Sequence, residues 1–201
     1  MTNDPSLNPA VKRGLEDGFY KPVSRAGFVA AVLIGVAAVV NAATLWSDGD
    51  GVAIAATIAL IVAGIAFLAW LWQARQNAEI LCPAPHRRSR VWLTLSWLIP
   101  FVNLWFPYQI VADVYRASRP DNPRGLADLR TVAGSPLLPA WWALWLVSNI
   151  VAIVVAYDTA LTDDTARLLL IINAITTLGA GALLIMIMRE ISAWQRPRRS
   201  S

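Results

Sequence analysis

Trp97-Leu98-Ile99-Pro100-Phe101-Val102-Asn103-Leu104-Trp105-Phe106-Pro107-Tyr108 is the stretch on which the fold turns. It lies within an apolar segment from Val91 to about Val111, long enough for a membrane span but interrupted twice. Proline has no amide hydrogen to donate, and its ring disturbs the turn before it. Asn103, midway between the prolines, has a side chain able to satisfy backbone groups that they free. Broken helix at membrane depth is tolerated only where protein or a wet cavity covers it. The segment is therefore expected to pack inside the surrounding helices rather than face lipid. Beyond Pro107, Ile110, Val111 and Val114 mark an apolar face, while Gln109, Asp113 and Arg116 gather on another. Proline suits the first turn of a helix. The return limb is read as an amphipathic helix at the cytoplasmic surface, running to about residue 118, with Asp113 and Arg116 paired on its exterior.

On either side of this segment lie two helical hairpins. Spans are expected at about 27–46, 52–72, 138–156 and 166–188, each near the 20 residues needed to cross a ~30 Å hydrocarbon core. The first hairpin turns at Ser47-Asp48-Gly49-Asp50-Gly51, the second between Tyr157 and Thr165, where Asp158, Asp163 and Asp164 occur without Lys or Arg. The chain is 57% hydrophobic and 15% charged, against about 25% charged for soluble domains. A cleaved signal peptide is the competing reading of the first span, because Val40-Asn41-Ala42 resembles a cleavage site. The apolar run starts only after 26 residues and continues to Trp46, which favours an uncleaved span.

Charge assigns the sides. Sixteen of the seventeen basic residues fall into four groups: the first 26 residues, the stretch from Arg75 to Arg90, that from Arg116 to Arg130, and the C-terminal end. Arg167 alone borders an acidic loop. Short loops rich in Arg and Lys stay in the cytoplasm. All four groups share that compartment only if the middle segment enters and leaves by one face. The fold expected is all-α: a polytopic helical membrane protein with two transmembrane hairpins around a proline-broken re-entrant or half-crossing segment. It comprises a cytoplasmic N-terminal segment (1–26), one transmembrane domain (27–195) and a basic tail (196–201). Both termini are expected on the cytoplasmic side of the membrane.

Small residues recur every four positions at Gly27, Ala31 and Gly35, and at Ala55, Ala59 and Ala63, so that backbones can approach closely. Asn41, Asn149 and Asn173 are read as polar links between spans, each worth roughly 0.6–2 kcal/mol. Trp46, Trp70, Trp72, Trp92, Trp141 and Trp142 suit interfacial belts.

The middle segment also resembles a bacterial, mainly actinobacterial, membrane-protein family catalogued as domain of unknown function 4328. The resemblance rests on Pro100-x-x-Asn103-Leu104-Trp105-x-Pro107-Tyr108-Gln109, continuing to Asp113 and Arg116. Upstream it takes in Trp72-x-x-Arg75-x-Asn77-Ala78, and downstream Trp141-Trp142-x-Leu144-Trp145-x-x-Ser148-Asn149. Together these cover about residues 27–195, with Tyr115 where the family pattern leads one to expect Trp. The family implies no established activity.

The motif positions singled out are Arg75, Asn77, Trp97, Pro100, Asn103, Trp105, Pro107, Tyr108, Asp113, Arg116, Trp142 and Asn149. Arg75 and Asn77 are expected to join Asp113 and Arg116 in a polar cluster that braces the broken segment. No catalytic, cofactor or metal site is expected. Cys82 and His86 are the only residues of their kinds, which rules out an intramolecular disulfide and a zinc site built of Cys and His. Gly-x-Ser-x-Gly, the phosphate-binding Gly-x-x-x-x-Gly-Lys and His-Glu-x-x-His are all absent. The four spans carry no ionisable residue at their centres, which argues against proton-coupled transport. The expected role is a non-enzymatic membrane-organising or partner-binding protein. The alternative is a small transporter or channel for a neutral or lipid-like solute. Partners are the bilayer, with anionic headgroups at the basic face, and an unidentified protein docking on the return helix; nucleic acid is not among them.

Overall fold

The computed structural model describes residues 9–196 apart from 19, 47, 48, 124, 125 and 159. Asp48 of the first hairpin turn, Arg124, and Arg198 and Arg199 of the basic tail lie outside the described residues. The order is α1 (Pro9–Glu16), α2 (Ser24–Ala43), α3 (Asp50–Leu81), α4 (Trp92–Leu98), α5 (Pro100–Asn103), α6 (Phe106–Ala117), α7 (Leu137–Tyr157) and α8 (Asp163–Trp194). Single 3₁₀ turns occupy Thr44–Trp46 and Leu129–Thr131, and no strand occurs among the described residues.

Four helices are long and apolar enough to cross a membrane: those in Ser24–Trp46, Gly51–Leu81, Leu137–Tyr157 and Asp163–Trp194. Two run well past the apolar core expected of them. No proline interrupts α3 until Pro83, so the helix continues beyond Trp72 and carries Arg75, Asn77 and Glu79 on its last turns. The same holds for α8, which passes Met188 and stops short of Pro197. Its start is capped by Thr162, whose hydroxyl accepts from the Thr165 amide at 3.3 Å, and Asp163 and Asp164 sit in the first turn, where the helix dipole favours them.

Both prolines break the middle segment, and it folds back. Pro100 forces Ile99 out of the helical region (φ −96°, ψ 112°), so α4 ends there and α5 begins with the proline in its first turn. Pro107 occupies the first turn of α6 in the same way. The axes on either side of Ile99 differ by 111°, and α4 packs against α6. The segment is thus a bent pair rather than a straight span.

The expectation that the broken segment hides among other helices is corrected. Phe101 is 88% exposed, Leu98 71% and Trp105 62%. Local bonds take up part of the backbone at the breaks: the Asn103 amide donates to the Ile99 carbonyl at 2.8 Å and the Trp105 amide to Val102 at 3.1 Å. The Asn103 side chain does not take the role expected of its oxygen, since Oδ1 is buried and accepts no hydrogen bond. The return helix is also corrected. It is not a surface helix open for docking, since eight of its twelve residues are buried, among them Ile110, Val111, Asp113 and Tyr115.

The chain forms two compact units. The first comprises residues 1–28, 68–135 and 187–201, and so holds all of α1, α4, α5 and α6 with the ends of α2, α3 and α8. The second comprises 29–67 and 136–186, the central parts of the four long helices.

Within the second unit, α8 touches α7 and α2 through glycines. A Cβ on Gly179 would stand 3.0 Å from Leu144, and one on Gly181 3.4 Å from Ile34. Asn173 donates to the Ser148 carbonyl at 2.8 Å, an interhelical link as expected. Asn149 instead turns back to the Trp145 carbonyl of its own helix and stays exposed. The alanine stripe holds only at Ala63, which is buried; Ala59 is half-buried, Ala55 is exposed, and Ala56 is buried in its place.

Candidate functional site: a buried polar network in the basic unit

Residues 68–135 begin on the last turns of α3 and end before α7 within one unit, and they bring most of the polar motif residues with them. Three networks result.

The first converges on Gln195, immediately after α8 and fully buried. Its amide nitrogen donates to the Ala74 carbonyl and to the Ser118 hydroxyl, both at 2.8 Å. Its amide oxygen accepts from Asn77 Nδ2 at 3.2 Å, and its backbone carbonyl accepts from the Tyr20 hydroxyl at 2.5 Å. Asn77 in turn clamps Lys21, donating to its carbonyl at 2.7 Å and accepting from its amide at 3.2 Å. Gln195, through its side chain and its carbonyl, and Asn77 together tie the chain before α2 to α3, to the end of α6 and to the end of α8. Burial pushes the Tyr20 phenol up to about 12, which keeps it a neutral donor.

The second is the turn from Cys82 to Arg90, held by α6. Asp113, only 1% exposed along its side chain, accepts from the Arg87 amide at 2.9 Å and from Arg87 Nε at 2.8 Å. Arg87 also donates to the Gln109 carbonyl at 3.1 Å. Arg88 donates to Gln109 Oε1 at 2.9 Å and lies 3.6 Å over the Phe106 ring, a cation–π contact.

The third pins this turn to α3. Arg75 bonds Glu79 Oε1 at 2.7 Å and the Arg88 carbonyl at 3.0 Å, and Arg90 pairs with the other oxygen of Glu79. A cleft of about 510 Å³ beside it is lined by Arg13, Asp17, Glu79 and Arg90.

The expected four-residue cluster is thereby redistributed. Asp113 is paired chiefly with Arg87, and Arg116 stands 4.0 Å from it. The surface pairing of Asp113 with Arg116 gives way because Asp113 faces inward on a buried helix. Arg116 lies against Gly134, where a Cβ would come within 3.2 Å of the guanidinium, and Asn122 caps its carbonyl at 2.8 Å. Arg75 reaches α6 through the arginine turn, and Asn77 serves the Gln195 hub.

Of the other motif positions, Pro100 and Pro107 set the breaks, while Trp105 stands exposed at the apex. Trp97 and Tyr108 lie part-buried on either side of it. Trp142 is buried in the second unit, stacked on Trp145 at 4.8 Å. Trp70 and Trp141 are also buried, which corrects the interfacial reading for all three. Trp70 donates instead to Ser192 at 3.1 Å. Trp46 is 82% exposed.

Arg87 entered the sequence reading only as part of a basic group and Gln109 only as a motif residue on a polar face; Gln195, Ser118 and Tyr20 were missed. Nothing local marks them, because they lie far apart in the chain and only the fold joins them. His86 is held neutral: burial and then the Arg75 charge push it down to about 4. Its Nε2 and the Arg75 Nη1 are buried and make no hydrogen bond. Asp113 and Glu79 are each occupied by guanidinium groups, so the networks are built to hold elements in place.

A family model described as a domain of unknown function, number 4328, matches residues 37–196. The chain belongs to that family. The domain of unknown function 4328 match takes in Arg75, the arginine turn, the broken segment, α6 and Gln195, and leaves Tyr20 and Lys21 outside. No curated protein and no solved structure matches the chain.

Proposed function

We propose that this chain is an integral protein of a bacterial cytoplasmic membrane, with its termini and the basic stretches 75–90 and 116–130 inside, and that it organises lipid or a protein partner at that face without catalysing a reaction. One observation carries the reading. The first unit holds sixteen basic and eight acidic residues, a net +8, whereas the second holds one basic and five acidic, a net −4. Arginine-rich segments stay on the cytoplasmic side and attract anionic headgroups, each cation near the surface contributing about 1 kcal/mol.

The test is thermal unfolding in nanodiscs of phosphatidylglycerol or phosphatidylcholine. A melting temperature several degrees higher in phosphatidylglycerol, with a gap that narrows in high salt, supports the proposal. Equal stability in the two lipids counts against it. Crosslinking in native membranes would then separate a protein partner from lipid alone.

A second reading, passage of a neutral or lipid-like solute, draws on Asn41. Its Oδ1 is buried in the second unit and accepts no hydrogen bond. Solute flux through reconstituted protein, lost in Asn41→Leu, would favour it.

A further inference from the structure

The side chains that project from the apex of the folded-back segment are apolar, with Asn103 part-buried among them, and its base is charged. Leu98, Phe101 and Trp105 project from it at 71%, 88% and 62% exposure. At the base, Trp92 meets Phe106 edge-on at 5.0 Å, Arg88 lies over Phe106, and Arg90 precedes α4 with half its side chain in the open. The gradient therefore runs along the limb, from guanidinium groups through aromatic rings to a bare hydrocarbon tip. A helix that docks in a protein groove exposes a stripe along one side; this segment exposes an end.

Length narrows the occupant further. The seven residues of α4 rise about 10 Å, well under a ~30 Å hydrocarbon core but within one leaflet. Basic groups beneath such a tip complement phosphate. We propose that residues 98–105 form a wedge seated among the acyl chains of a single leaflet of a phospholipid bilayer, with Arg88 and Arg90 at the level of its phosphates. The wedge rests on the membrane reading above and gives it a physical means: the chain adds cross-section to one leaflet and not the other.

Spin labels at Leu98→Cys, Phe101→Cys and Trp105→Cys test this in phosphatidylglycerol–phosphatidylcholine proteoliposomes. Cys82→Ala removes the native thiol. All three label sites are exposed, so the substitutions leave the core intact. Ile61→Cys, on the exposed face of α3, serves as the reference for the membrane interior.

The expected result is that oxygen collides with the tip labels more than a water-soluble nickel chelate does, at a depth shallower than Ile61. Nickel-dominated collisions would put the tip in water. Low collision with both reagents would put it beneath protein, either a second copy or a partner. A depth equal to that of Ile61 would make it a crossing. Each of these three results overturns the wedge. An Ile61 label open to nickel would instead overturn the membrane reading, so the two failures stay distinct.

Discussion

Gln195 makes three side-chain hydrogen bonds without exposing an atom, adding to the Trp70–Ser192 and Tyr115–Glu190 bonds that also join α8 to α3 and α6. Gln195→Ala leaves the Ala74 carbonyl and the Ser118 hydroxyl buried without it, at a cost of about 2–4 kcal/mol. Melting in detergent should fall by roughly 5–10 °C, and a fall under 2 °C would deny the hub. Asp113→Asn leaves Arg87 without its counter-charge. Arg87 keeps some access to water, so the loss should be about 2 kcal/mol rather than the larger value of a fully buried pair. Arg87→Met with Asp113→Leu should recover only part of it, because the Arg87 amide then loses its acceptor and the Gln109 carbonyl its donor. His86 sets a pH dependence whose sign follows from its lowered pKa. Between pH 6.5 and about 4 the unfolded chain takes up a proton that the folded chain refuses, so stability is complete above pH 6.5 and falls through that window. His86→Asn should flatten this limb in acid unfolding curves; an unchanged slope would remove His86 from the account.

At the scale of elements, one sequence motif yields opposite outcomes. A Cβ on Gly27 would stand 2.9 Å from Ser192 Oγ and 3.1 Å from Trp70 Nε1, whereas one on Gly35 meets nothing within 4 Å. Gly27→Ala should therefore destabilise by about 1–3 kcal/mol, while Gly35→Ala should be neutral or stabilise by up to about 1 kcal/mol. Equal effects in thermal melts would refute the close approach. The spans and the break were legible because apolar run length and proline are local signals, as at Pro100 and Pro107. What surrounds an element was not. Asp113 looks like a surface residue beside Arg116, and only the packing of α6 turns it toward Arg87. Tyr115, standing where Trp was expected, gains a 2.7 Å bond from its hydroxyl to Glu190, and Gln195 joins partners up to 175 residues away. Neither pairing leaves a trace in local spacing.

For the whole molecule, the central claim is that the chain between α3 and α7 returns to the side it left. The 111° bend, the confinement of residues 68–135 to one unit and the +8 net charge of that unit all support it. A straight crossing would carry Arg119 and Arg130 to the outer side against the usual bias of basic loops. Side-specific labelling decides between these. In a Cys82→Ala background, Ala127→Cys, exposed just before the turn at Leu129–Thr131, is treated with a membrane-impermeant maleimide on intact cells, alongside Thr162→Cys in the acidic loop. The account predicts that Thr162→Cys reacts at once, while Ala127→Cys reacts only after permeabilisation. Reaction of Ala127→Cys from outside intact cells would contradict it.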